Sequence, residues 1–161
     1  MENNNLAKNN HWLYRGNIIT EKDISQDQLG FIYIITQKST GKKYIGRKML
    51  WKTKTRTIKG KKKKEIVSSD WLTYWSSSPY LLDMIEEYGK DDFSREILIF
   101  CYSKSEILYA EEAILYHVNA MLDDSWLNGN IRTKIQKSWF SKTGKDVLNR
   151  MEEMRKILVV T

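Results

Sequence analysis

Gly30-Phe31-Ile32-Tyr33-Ile34-Ile35-Thr36-Gln37, Lys38-Ser39-Thr40-Gly41-Lys42 and Lys43-Tyr44-Ile45-Gly46-Arg47 read in succession as strand, turn and strand. Phe31 to Gln37 is β-branched and aromatic, Lys38 to Lys42 is turn chemistry, and Lys43 to Gly46 opens a second short strand. A tight β-hairpin of this kind puts Tyr33 and Tyr44 on neighbouring strands with their hydroxyls converging. A free phenol has a pKa of about 10 and abstracts protons usefully only where cations favour the phenolate. Arg47 and Lys48 follow Tyr44 directly and are expected to supply those cations, Arg47 being the nearer.

The charge around this hairpin is one-signed. Of the 27 lysines and arginines, thirteen fall between Lys38 and Lys64, and no acidic residue occurs from Gln28 through Lys64. Such a block repels itself unless a polyanion neutralises it. Met49, Leu50 and Trp51 interleave with the cations, which suits backbone contacts to double-stranded DNA supported by packing or stacking. Lys48, Lys52, Lys54, Lys61, Lys62, Lys63 and Lys64 are the expected DNA contacts, and Lys52 to Lys64, without apolar periodicity, reads as a mobile basic loop.

Beyond the hairpin, Ser76-Ser77-Ser78-Pro79-Tyr80-Leu81, Glu87-Tyr88-Gly89-Lys90 and Phe93 continue in a fixed order, followed by Glu111 on a helix and Leu127-Asn128-Gly129-Asn130-Ile131. Together with Ile32-Tyr33 and Tyr44-Ile45-Gly46 these segments resemble the GIY-YIG nuclease family, and phage or homing-type members in particular, over about residues 29 to 131. Phe31 departs from the pattern by standing where the family has its first glycine. The resemblance implies an α/β fold with a small three-stranded antiparallel sheet flanked by helices, and a metal-dependent DNA endonuclease activity. It implies catalytic roles for Tyr33, Tyr44, Arg47, Arg56, Glu111 and Asn130. Arg56 follows Gly46 at the distance of the family's phosphate-binding arginine, which there lies on a helix and here falls in the basic loop, so Lys48, Lys52 and Lys54 compete for that role. Asn128 and Asn130 both match the family's closing asparagine. Ser76 stands where some members carry a histidine and cannot replace one as a base.

Phosphodiester hydrolysis needs an activated water, cations around the crowded phosphate, and a metal or acid for the leaving oxygen. Tyr44 is the candidate base, and Tyr33 its hydrogen-bonding partner or the residue that orients a metal-bound water. Glu111 lies among Ile107, Leu108, Ile114 and Leu115 at helical offsets, where a carboxylate costs several kcal/mol unless paired, protonated or metal-bound. Glu111 is the preferred single metal ligand, and Glu112 takes its place if the register is off by one. With two histidines and one cysteine the chain cannot build a thiolate and imidazole zinc site, so carboxylates must hold any metal, which suits magnesium or manganese. Cys101, inside the apolar run Ile97 to Tyr102, reads as a buried strand residue, and His117 as an ordinary structural histidine.

At 161 residues the chain suits one domain with additions: an extension over 1–28, the nuclease-like domain over 29–131 and a helical extension over 132–161. The 41% hydrophobic content is enough for a packed core, while no apolar run approaches the roughly 20 residues of a membrane helix. A Met-Glu-Asn-Asn-Asn start without a cationic and apolar stretch, and a lone cysteine, point to the cytoplasm, the host's if the chain is phage-encoded. Within the domain, Ser78 caps a helix from about Tyr80 to Tyr88, Arg95 to Tyr102 forms the third strand, and Ser103 with Glu106 launches a helix through about Met121. A last helix over about Lys142 to Val159 is placed to pack on the domain, pair with another copy or lie on DNA. One active site per chain implies either a nick or a homodimer. Two rival readings remain from the residues alone: a DNA-binding module that keeps the fold without cutting, and an interaction protein whose basic segment takes RNA.

Overall fold

The computed structural model describes residues 10–131, 135–146, 149 and 152. Nine strands occur among them: β1 Trp12–Tyr14, β2 Asn17–Ile19, β3 Gly30–Gln37, β4 Lys43–Met49, β5 Trp51–Ile58, β6 Lys61–Ser68, β7 Phe93–Cys101, β8 Asn130–Ile131 and β9 Ile135–Gln136. Two α-helices accompany them, α1 Pro79–Tyr88 and α2 Lys104–His117.

The main sheet has five strands in the order β2-β1-β7-β3-β4. Strands β7, β3 and β4 are antiparallel neighbours, as the hairpin and third strand require, with Tyr33 opposite Gly46 and Ile35 opposite Tyr44. The expected three-stranded antiparallel sheet is nevertheless too small: β1 adds to β7 in parallel, with Trp12 opposite Arg95, and β2 pairs antiparallel with β1, so the sheet is mixed. These two strands come from residues assigned from the sequence to an extension. The Trp12 ring supplies the physical reason, being 1% exposed and donating from Nε1 to the Trp71 carbonyl at 2.7 Å. Arg15 and Gly16 both take positive φ and close β1 onto β2 in a two-residue turn.

Alternation along the strands makes two cores. Phe31, Tyr33 and Ile35 of β3 face Trp12, Trp71 and the Leu81 and Ile85 stripe of α1. Ile32 and Ile45 face the other way, onto Ile107 and Leu115 of α2. Helix α1 starts where Pro79 fits a first turn and Ser78 Oγ accepts from the Leu81 amide, and it stops at Gly89, whose φ is +83°. Helix α2 is capped by Ser103 Oγ, which accepts from the Glu106 amide; the Glu106 carboxylate accepts from the Tyr102 amide rather than closing back on Ser103. It ends at His117, short of Met121, because Asn119 turns to a φ of +53°.

The segment read as a mobile basic loop is instead a second, two-stranded sheet. Strands β5 and β6 pair in register from Trp51 opposite Ser68 to Ile58 opposite Lys61, and Lys59-Gly60, both at positive φ, make the turn. Thr53, Thr55 and Thr57 supply β-branched residues at every second position. No apolar face accompanies that alternation, and residues 52–66 are all exposed. The ribbon rises from a fixed base, where Trp51 Nε1 donates to the Gln28 carbonyl at 2.7 Å and the Ser69 amide to the Leu50 carbonyl at 2.8 Å.

Cys101 is fully buried, and burial pushes its thiol up to about 11, in keeping with an inert strand residue. No helix among the described residues is long and apolar enough to cross a membrane. The helix expected over Lys142 to Val159 lies mostly outside the described residues.

Candidate active site

Strand β4 is an edge of the main sheet, and its alternation sends Tyr44, Gly46 and Lys48 to the α1 side and Ile45, Arg47 and Met49 to the α2 side. The two tyrosines share the first side. Their ring centroids lie 6.3 Å apart with planes tilted by 34°. Tyr33 is 1% exposed and held edge-on by Trp12, Phe31 and Tyr74, whereas Tyr44 is half-buried and reaches the surface. Phe31, where the family pattern has glycine, packs its ring edge-on against Trp71 and Phe100.

Gly46 is what lets the tyrosines meet. A Cβ at that position would lie 2.5 Å from Tyr33 Cζ and 3.0 Å from Tyr44 Cε1, so any side chain would push the Tyr33 ring off the strand. Asn128 fixes the strand from its outer edge: its Oδ1 accepts from the Ile45 amide at 2.9 Å and its Nδ2 donates to the Ile45 carbonyl at 2.7 Å. This side chain is 5% exposed, while Asn130, the residue preferred from the sequence, is exposed on β8 two positions away. The fold thus brings Asn128 to the hairpin.

The electrostatics around the phenols run against the sequence argument. Burial pushes Tyr33 well above the ordinary tyrosine pKa, with Tyr74 and Tyr44 adding to the rise and Ser76 opposing it. Tyr44 is also raised, chiefly by burial, with Ser76 hydrogen bonding pulling it down and Glu111 pushing it up. Arg47 does not depress the Tyr44 phenol, because it lies on the opposite side of β4 and its guanidinium is engaged: Nη1 donates to Glu111 Oε2 at 2.7 Å. Lys48 is engaged too, 2.6 Å from Asp70 and 3.9 Å over the Tyr74 ring, and it holds the Asp70 carboxyl below the usual carboxylate range.

Ser76 emerges as a central member of the cluster. It is 7% exposed, it acts to lower the pKa of both phenols, and its Oγ accepts from the Ser78 amide at 3.0 Å, which leaves its own proton free to donate. The segment that carries Tyr74 and Ser76 is pinned by Arg95, a fully buried arginine on β7. Its Nη1 donates to the carbonyls of Leu72 at 3.3 Å and Tyr74 at 2.5 Å, its Nη2 donates to that of Asn10, and its guanidinium stacks on Trp12 and Trp75. Burial lowers the pKa of Arg95 to about 10. The signal in the sequence was an arginine at an inward position between Phe93 and Ile97 of an alternating strand, beside a tryptophan-rich segment.

Glu111 is 20% exposed and faces a cation, which suits an ionised carboxylate. Glu111 is the carboxylate that pairs with Arg47. Among the described residues no three His, Cys, Asp or Glu side chains come together in a way that could hold a metal ion. A single carboxylate completed by water and phosphate oxygens is a donor set that fits magnesium, which keeps several waters and needs few protein ligands. Arg56 is not brought to the tyrosines; it lies along the exposed ribbon, 3.3 Å from Glu65. Lys52, Lys54 and Lys61 to Lys64 lie on the same ribbon. His117 is exposed at the end of α2.

A family model described as "Putative endonuclease segE, GIY-YIG domain" matches residues 12–131, a span that begins at β1 and ends at β8. No curated protein and no solved structure matches the chain.

Proposed function

Because the chain belongs to the GIY-YIG family of endonuclease domains, we propose that it hydrolyses phosphodiester bonds of double-stranded DNA with the help of magnesium or manganese. The observation that carries this reading is the convergence of Tyr33, Tyr44 and Ser76 over Gly46 at the edge strand whose next residue, Arg47, pairs with Glu111.

Tyr44 is the half-exposed phenol and the one assigned to the attacking water; Tyr33 is sealed and acts by holding Tyr44 and Ser76 in place. With its pKa raised, Tyr44 is a neutral hydroxyl in the free protein, so it takes the water's proton only from the fraction of chains in which the phenol has first released its own proton to solvent. Ser76, which lowers the Tyr44 pKa against the effect of burial, favours that phenolate. Glu111 would hold the metal, which when bound stabilises charge on the phosphate and leaving oxygens. Arg47, whose side chain is 42% exposed beside the same carboxylate, is suited to bind the scissile phosphate. Asn128 keeps Ile45, and with it the Tyr44 backbone, in position.

Digestion of supercoiled plasmid tests this reading. Nicked or linear product that appears with magnesium and disappears with chelator is the expected result. Tight DNA binding with no cleavage under any divalent metal would reassign the chain to a binding module on the same fold. A single site per chain predicts nicked product before linear product unless two copies act together.

A further inference from the structure

Between Trp51 and Ser68 the chain carries eight lysines and arginines and one acidic residue, a net of +7 that equals the net charge of the whole protein. The rest of the molecule is neutral on balance, so the attraction for a polyanion is concentrated on the β5–β6 ribbon. Cross-strand partners share a face, and the register therefore sorts these charges. Lys52, Lys54, Arg56, Lys61 and Lys63 fall on one face with Glu65, while Lys62 and Lys64 fall on the other beside Thr53, Thr55 and Thr57. Both faces are cationic, and both are exposed along residues 52–66.

A flat acidic surface would neutralise only one of these faces. A groove with phosphates along both walls meets both. The major groove of B-form DNA, about 12 Å wide, admits a two-stranded ribbon, whereas its minor groove of about 6 Å does not, and the major groove of A-form RNA is too narrow. Eight residues at about 3.3 Å each make each strand roughly 26 Å long, enough to follow a groove across several base pairs. The base is rigid, since Trp51 and Ser69 tie it to the domain core and only Leu50 separates β5 from the strand that bears Tyr44.

We propose that the β5–β6 ribbon inserts into the major groove of duplex DNA beside the scissile bond and is the element that seats the substrate on the catalytic face. This rests on the DNA reading above and deepens it. Lysine stems from both faces reach the phosphates of the two groove walls, and Thr53, Thr55 and Thr57 are short hydrogen-bonding side chains suited to base edges.

The test is a dimethyl sulfate footprint with the whole 161-residue chain on a duplex in metal-free buffer, paired with titrations over a range of salt. Two variants serve: one with residues 53–66 replaced by Asn-Gly between the paired Lys52 and Val67, and one with Lys54, Lys61, Lys62 and Lys63 each changed to Gln. Protection of guanine N7, the major-groove atom, is expected for the unaltered chain and should vanish in both variants. The four-glutamine protein should bind at least tenfold more weakly and lose about 3 to 4 units of log-log salt slope. Absence of N7 protection, or full protection in the glutamine variant, overturns the proposal, as does equal competition by duplex RNA. Plasmid digestion by the unaltered chain judges the nuclease reading separately: a protein that footprints through the ribbon and never cuts would sink that reading and leave this one standing.

Discussion

Arg47 and Glu111 join strand β4 to helix α2 through a 2.7 Å ion pair on the side of the strand away from Tyr44. Side-chain exposures of 42% and 20% place the pair at the surface, where such contacts contribute about 1 kcal/mol or less. Glu111→Ala should therefore shift thermal stability only slightly. It should abolish metal-dependent cleavage while leaving DNA affinity equal or tighter, because a negative charge is gone and Arg47 is released. A gel-shift titration beside a plasmid assay checks both halves, and cleavage lost in Glu112→Ala but kept in Glu111→Ala would move the metal site by one residue.

Tyr44→Phe removes one oxygen from a half-buried ring and keeps its packing on Tyr33. Cleavage should fall by roughly 100-fold or more if that oxygen takes the proton, with melting temperature and DNA affinity close to those of the parent. Near-parental turnover would leave the phenol a packing role alone.

Asn128→Ala strips both hydrogen bonds from Ile45 in a buried setting and should cost about 2 kcal/mol or more, seen as a clear drop in melting temperature. Asn130→Ala, at an exposed site on β8, should cost far less. Equal losses from the two would contradict the placement of Asn128 as the strand's clamp.

Alkaline pH offers a fourth check. Tyr33 and Tyr44 are both raised above the ordinary value of 10.0, so the fold favours their neutral forms. Their contribution to stability is complete below pH 10 and is lost as pH rises from there through the folded-state values. Denaturation monitored from pH 8 to pH 11 should show this decline, and Tyr33→Phe should lessen it. If Tyr44 is the base, kcat/KM should also climb with pH across the neutral range without levelling off. A plateau near pH 7 would assign the proton to another group.

The hairpin, both helices and the third strand were legible because their signals are local: alternation, Ser78-Pro79 and Gly89 around α1, and Ser103 before α2. Strand β1 was not, since a three-residue strand becomes one only through Trp12 docking on Trp71 and pairing with β7 more than 80 positions away. The ribbon was missed because hydrophobic periodicity finds strands that bury a face, and β5 and β6 bury none; the threonine alternation and Lys59-Gly60 were the available signals. The direction of the Tyr44 shift went astray for a related reason. Residues an odd number of positions apart on a strand point to opposite sides, so Arg47 turns to α2 and pairs with Glu111 while Tyr44 turns to α1, where burial raises its phenol.

Arg95 binds carbonyls at positions 10, 72 and 74 with one side chain. During synthesis the chain thus displays every aromatic residue of the tyrosine cluster well before the residue that organises the ground beneath them. Loop closure over 85 positions is slow compared with forming a hairpin. The β3–β4 pair can assemble early on its own account, but Ser76 acquires a fixed address only when β7 slides between β3 and the amino-terminal strand. Completion of the site in this molecule waits on a long-range strand pairing, not on the identifying motif alone.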